Sequence, residues 1–208
     1  MYNPPHFAIT DTAELHRIIE SYPLGTLVTH FDGLDANHLP FEFDPQRGEF
    51  GTLTAHVARA NPICQTAAQG GDVMVIFRGA EGYISPNWYP SKHETHRLVP
   101  TWNYEVVHAH GHIKLLDDEK FVRGVVARLT REHEATEPKP WKMGDSAPEY
   151  INGMLAAIVG LEITVTRLEG KAKLSQNREL RDRQGAVKVL QDKAREALAA
   201  SMAKHAKS

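Results

Sequence analysis

Residues 24–53, LGTLVTHFDGLDANHLPFEFDPQRGEFGTL, decide the fold. Leu24 to His30 reads as a strand around Leu27-Val28-Thr29, and Phe31-Asp32-Gly33 is a turn signal that ends it. Leu39 to Phe43 reads as the antiparallel partner. Asp44-Pro45-Gln46-Arg47-Gly48 is a second turn, and Phe50 to Leu53 a third short strand. Strands joined by tight turns pair antiparallel, because a parallel pair needs a crossover of roughly a dozen residues or more. A parallel βαβ array is therefore disfavoured.

The pattern extends in both directions. Residues 11–22 read as a helix, with Asp11 and Glu14 as a capping pair and Leu15, Ile18 and Ile19 on one face. Val57 to Gln69 reads as a short helix after the third strand, with Pro62 in its first turn. Val73 to Phe77 is a continuous apolar strand, and Tyr83-Ile84 continues the sheet. A long polar loop follows, Ser85 to Thr101, rich in Pro, Trp and His. Tyr104 to Leu116 alternates as a strand. Residues 118–134 form a helix with Phe121, Val122, Val125, Val126 and Leu129 on one face. Another helix starts at Ser146-Ala147-Pro148-Glu149, and Val159 to Leu168 alternates as a strand. From Glu179 the chain reads as a polar helix with a fraying end. Short strands with turn signals, interrupted by helices, predict a mainly β, α+β fold: a small barrel with helical additions.

Composition bounds the rest. The 208 residues are 41% hydrophobic with net charge −2, enough for one folded domain and too neutral for strong non-specific nucleic-acid binding. The single cysteine, Cys64, excludes a disulfide scaffold and fits a reducing compartment. No segment approaches the roughly 18 apolar residues of a membrane span. The first residues show no basic region followed by an apolar run, so a cytoplasmic protein is expected. From Lys171 onward ten Lys or Arg stand against four Asp or Glu, which makes the C-terminus locally basic.

Several features bear on chemistry. His108, His110 and His112 share one strand face, but neighbours there sit about 6.6–7 Å apart, too far to converge on one ion with bonds near 2 Å. Polar residues on a half-exposed strand explain them without a metal. Cys64 has no nucleophile signature around it and reads as a small apolar side chain. Thr54-Ala55-His56-Val57-Ala58-Arg59-Ala60-Asn61-Pro62 leads from a strand into a helix, where an anion such as phosphate could bind. The Trp and Tyr residues of Tyr83–Tyr89 and Trp102–Tyr104 offer flat surfaces for a planar ligand, or a satellite hydrophobic cluster under the loop. Lys173-Leu174-Ser175-Gln176-Asn177-Arg178 could neutralise a phosphate or be a solvated connection.

Taken together, these segments resemble the PaiB-like family of FMN-binding proteins and negative transcriptional regulators. The matching pieces are Met1-Tyr2 with Pro4, His6 and Phe7; Pro40-Phe41; His56 with Asn61-Pro62; Tyr83-Ile84-Ser85-Pro86 with Trp88-Tyr89; Val99 to Tyr104 running into Val107-His108-Ala109 and Gly111; and Lys173 to Arg178 with Asp182-Arg183. The resemblance reaches to about residue 190 and implies an antiparallel split β-barrel like that of pyridoxamine-phosphate oxidases. It also implies a homodimer with FMN at the interface. It divides the chain into a split-barrel domain at 1–178 and a basic C-terminal helix and tail at 179–208. It implies cofactor contacts through Thr54, His56, Arg59 and Asn61, with Thr29 and His30 near the isoalloxazine. Trp102 and Asn103 would come from the partner subunit, and Lys173 and Gln176 would close the site.

Four functions compete at this stage. The first is an FMN-binding regulator. The second is an FMN-dependent oxidoreductase acting on a small molecule. The third is a relative whose groove binds haem, suggested by twelve histidines. A zinc hydrolase comes last. His56 and His108 suit proton transfer by type only, so no catalytic residue is assigned. DNA is a weakly supported partner. The basic C-terminal helix is the only phosphate-contacting element in view, and removing residues 191–208 is expected to abolish DNA binding.

Overall fold

In the computed structural model, residues 1–205 are described; residues 206–208, the last of the expected C-terminal tail, lie outside the described residues. The hairpin that the turn signal predicts is present. Strands β2 (Leu24–Thr29) and β3 (Asp35–Pro40) pair antiparallel, from Leu24↔Pro40 to Thr29↔Asp35. Gly33 lies in their connection at φ +87°, a left-handed conformation that glycine adopts without strain. Strand β4 (Glu42–Asp44) pairs antiparallel with β5 (Thr52–Ala58). Strand β5 also pairs with β8 (Ile158–Lys173), from Thr52↔Thr164 to Ala58↔Ile158. With β1 (Ala8–Ile9), β6 (Gly71–Ile84) and β7 (Thr101–Leu116), these form one sheet of order β3-β2-β6-β7-β8-β5-β4, and β1 pairs with β8. The fold is the antiparallel split barrel with helices.

The chain divides into two compact units. One comprises residues 22–77 and 108–168. Its core is built by the inward faces of the strands: Leu27, Leu53, Ala55, Val75, Phe77, Leu161 and Ile163 are fully buried. Gly25 is required by packing, because a Cβ there would sit 2.6 Å from Val75 Cγ1 and 2.9 Å from the Phe41 and Phe77 rings. Helix α4 (Glu119–His133) starts at Asp118, whose carboxylate accepts from Phe121 N at 2.7 Å. It buries Val122, Val125 and Leu129, and Val122 packs with Ile151 and Leu155 of α5 (Pro148–Ala156).

The other unit comprises residues 1–21, 78–107 and the chain from Glu169. Helix α1 (Thr12–Ser21) buries Leu15, Ile18 and Ile19. The long loop after β6 is held from within: it contains a 3-10 turn at Pro86–Trp88 and the short helix α3 (Lys92–Thr95). Ser91 donates to Asp182 of helix α6 (Leu180–Asp192) through N at 3.0 Å and Oγ at 2.6 Å. Tyr89 is buried, and its hydroxyl lies 2.9 Å from Ser175 Oγ.

The structure differs from the sequence reading at several places. The antiparallel partner of β2 is Asp35–Pro40 rather than Leu39–Phe43, because Glu42 and Phe43 turn away into β4 and pair with Thr54 and Leu53 of β5. Residues 57–69 are not one helix. Strand β5 continues to Ala58 because its ladder with β8 runs on to Val57↔Val159 and Ala58↔Ile158, and helix α2 spans only Ile63–Thr66. Glu14 does not cap α1. Asp11 Oδ1 takes Ala13 N at 3.0 Å, while Glu14 pairs with Arg17 at 2.9 Å and with Lys204. Helix α5 begins at Pro148 without a side-chain cap. The chain end does not fray up to His205, because helix α7 (Glu196–His205) buries Leu198, Ala199 and Met202.

Three basic side chains of the C-terminus are thus committed to internal pairs. Arg183 Nη1 donates to His205 O at 2.6 Å, Arg181 grips Glu94 at 2.6 and 2.7 Å, and Lys204 meets buried Glu14. Removing residues 191–208 would strip this unit of core side chains, so loss of DNA binding in such a truncation would not identify a DNA contact. Leu198→Ala is expected to lower stability by about 2–5 kcal/mol, read as a lower urea midpoint; an unchanged midpoint would mean that α7 is not packed.

Candidate functional site: the cleft beneath α4

Strand β5 is covered on both faces. Leu53, Ala55 and Val57 point into the core, so Thr54 and His56 project from the opposite face. Helix α4 packs against β4 and β5. Thr54 Oγ1 donates to Glu42 Oε2 at 2.9 Å, and Arg128 Nε of α4 donates to Glu42 Oε1 at 2.5 Å. The polar groups on this face are thus satisfied in a chain, with one exception. His56 Nδ1 is buried and has no hydrogen-bond partner. Burial lowers the pKa of the imidazole below its ordinary 6.5, so His56 is neutral near pH 7.

His56 lines a cleft of about 310 Å³ with Pro40, Val126, Leu129, His133 and Trp141. Thr130, Glu134 and Trp141 also line a neighbouring cavity of about 580 Å³, so the two share a wall of three side chains. Glu134 Oε2 accepts from Trp141 N at 2.8 Å and holds the Pro-containing loop against the end of α4.

The other expected residues are distributed differently. Thr29 and His30 line a separate cleft of about 270 Å³ with Leu34, Val73, Met74 and His110. Arg59 does not stand free for an anion. Its Nη1 and Nη2 grip Asp117 at 2.6 and 2.7 Å, and Nε donates to Ala156 O at 2.9 Å. The hydrogen-bonded pair raises the pKa of Arg59 and lowers that of Asp117. Asn61 bonds Asn37 Oδ1 at 2.7 Å and accepts from Ile63 N at 3.0 Å. Neither residue begins a helix able to bind an anion, since α2 has four residues.

Trp102, Asn103, Lys173 and Gln176 lie in the other unit. Lys173 Nζ donates to Trp102 O at 2.9 Å, and fully buried Asn103 donates to Ser175 Oγ at 2.9 Å. Gln176 folds onto its own loop, accepting from Leu174 N at 2.7 Å and donating to Ala172 O at 2.6 Å. Only Trp102 among these four is exposed. Cys64 is half-buried with its thiol pKa raised by burial, the opposite of an activated nucleophile. His112 pairs with Asp72 at 3.1 Å.

The sequence reading named His56 as a cofactor contact and quoted Pro40 only within the family resemblance; it did not name the walls of the cleft that they line. Val126 and Leu129 were visible as the apolar face of a helix, whereas Trp141 was not singled out. Nothing local linked them to β5.

The family described as "Putative FMN-binding domain" matches residues 1–167. The chain belongs to that family. This FMN-binding-domain protein is 32% identical over 193 residues to "Protease synthase and sporulation protein PAI 2" of Bacillus subtilis, covering 92% of this chain and 90% of the relative. Among solved structures it shares its fold with the flavocytochrome Anf3 of Azotobacter vinelandii, at TM-score 0.56, 13% identity, and 80% and 69% of the two chains. It is similar in fold to the conserved hypothetical protein Rv2991 of Mycobacterium tuberculosis, at TM-score 0.59, 10% identity, and 86% and 94% coverage. No helix among the described residues is long and apolar enough to cross a membrane.

The side chains beneath α4 suit the ring system of a flavin. Val126, Leu129 and Trp141 give apolar walls, Thr130 a hydroxyl, and His56 an unpartnered nitrogen that a ring heteroatom could satisfy. A neutral imidazole can donate or accept there according to its tautomer.

The lowered pKa of His56 has a stability consequence. Unfolded His56 takes a proton more readily than folded His56, so its contribution is fully present above pH 6.5 and is lost as pH falls toward the folded value. Thermal melts between about pH 8 and about pH 5 should show an acid-side decline that His56→Gln reduces. An identical decline in both proteins would contradict the assignment.

Proposed function

We propose that the chain is an FMN-binding protein that seats the flavin ring in the cleft beneath α4, and that flavin occupancy serves a regulatory role. The single observation that carries the ring assignment is the buried, unpartnered Nδ1 of His56 among apolar walls. A buried polar atom without a partner costs about 1–3 kcal/mol, a cost that a ligand hydrogen bond removes. Membership of the FMN-binding-domain family names the ligand.

Each side chain has a part. Val126, Leu129 and Trp141 exclude water from the ring, and Pro40 holds the wall opposite the helix rigid. Glu42 keeps Thr54 and Arg128 in place, so that β5 and α4 meet at a fixed spacing. His56 holds its proton on one nitrogen and presents the other to the ring. A bound flavin supplies one- and two-electron redox chemistry, and the protein supplies binding, orientation and electrostatics. The regulatory part of the reading is supported by the relative in Bacillus subtilis, which is named for protease synthase and sporulation. With Arg181, Arg183 and Lys204 committed to internal pairs, this reading does not assign DNA contacts to the C-terminal helices.

Titrating the flavin-free protein with FMN, followed by quenching of flavin fluorescence, tests the site. The wild type should bind, and His56→Phe should weaken binding by about tenfold, the equivalent of one hydrogen bond of about 1.4 kcal/mol. Unchanged affinity in His56→Phe would place the ring elsewhere, with the Thr29–His30 cleft next to be tested.

A further inference from the structure

We propose that the cleft beneath α4 holds oxidised FMN and releases it on reduction, so that flavin occupancy reports redox state. This reading rests on the ring assignment above and adds to it what regulates the site. Two electrons and one proton, the content of a hydride from a donor such as a reduced nicotinamide, convert the neutral oxidised ring into a reduced ring that carries one negative charge above neutral pH. The phosphate is common to both forms and cancels from the comparison. The difference in affinity is set by how the walls around the ring treat a neutral guest and an anionic one.

The walls favour the neutral guest. Pro40, Val126, Leu129 and Trp141 are apolar, and an anion buried against them loses its hydration with nothing in return. Among the described residues no lysine or arginine lines the cleft. Arg128 of α4 donates to Glu42 at 2.5 Å, so its charge is already matched. Arg131 and Lys142 line the adjoining cavity and not this one. The carboxylate in the lining is Glu134. It is half-buried, and its Oε2 accepts from Trp141 N at 2.8 Å, a bond that fixes the group and leaves its charge in place. The two histidines of the lining do not offset that charge. His56 is kept neutral near pH 7 by burial, and His133 is exposed in the last turn of α4, where water screens it. Like charges in an apolar cleft repel more strongly than they do in water. Tighter binding of one redox form also shifts the potential of the bound flavin by the same free energy, so the affinity ratio and the potential shift must agree.

The test titrates the full chain with oxidised FMN and, under dithionite without oxygen, with reduced FMN, and records the midpoint potential of the bound flavin. Both titrations are run at about pH 8, where histidine side chains are neutral. Reduced FMN is expected to bind at least about tenfold more weakly, which places the bound potential about 30 mV below that of free FMN for each factor of ten. Glu134→Gln removes the charge and keeps an acceptor for Trp141 N, and Thr130→Lys adds an ammonium to the wall. Each should shrink the affinity ratio by about threefold or more, the effect of one partly screened charge. Reduced FMN that binds as tightly as oxidised FMN, or more tightly, overturns the proposal and leaves the ring assignment standing. A ratio that neither variant changes also overturns it, because wall charge would then not set the preference. If the wild type binds no oxidised FMN, or if His56→Phe binds it unchanged, the ring assignment itself fails and this reading falls with it.

Discussion

A strand covered on both faces must find partners for every polar side chain it carries, and strand β5 is such a strand. Its ladder with β4 and β8 fixes the alternation, so Leu53, Ala55 and Val57 enter the core and Thr54 and His56 must go beneath α4. Thr54 meets the requirement through Glu42, and Glu42 through Arg128. His56 does not meet it at Nδ1. That one unmet requirement, in an otherwise satisfied layer, is what the proposed ring assignment rests on.

The same accounting separates supporting residues from available ones elsewhere. Asn103, Ser175 and Tyr89 form a closed buried cluster, and Asp182 is fully used by Ser91. Glu105 is buried, with Arg17 at 3.0 Å and Ser201 Oγ at 3.1 Å. These groups give the unit containing both chain ends a specific interior, and each is costly to remove because its partner would remain buried. The aromatic segments that stood out in the sequence thus serve packing at Tyr89 while leaving Trp102 on the surface.

Much of the fold was legible because its signals are local. The Asp-Gly turn announced the β2–β3 hairpin, alternation from Val159 marked β8, and the apolar face of residues 121–129 marked α4. The errors fell where a distant partner overrode local preference. Val57 and Ala58 precede a Pro and several alanines and read as helix, yet their pairing with Val159 and Ile158, about a hundred residues away, keeps them in the strand. Arg59 read as an anion ligand because Asp117 cannot be foreseen from its neighbours. From Glu179 the chain read as a polar helix with a fraying end, and the burial of Leu198 and Met202 shows otherwise up to His205. For the proposed site, His56 was singled out by type and by family resemblance. Its cover by α4 was not, because nothing in the spacing of residues 56 and 126–141 relates them.

The most direct test of the central claim is the nitrogen NMR spectrum of the His56 imidazole, assigned by comparison with His56→Gln and recorded before and after saturation with FMN. The account predicts a neutral ring near pH 7 whose Nδ1 resonance moves on flavin addition, as a new hydrogen bond forms at the unpartnered nitrogen. A His56 signal that stays unchanged while FMN binds would contradict it.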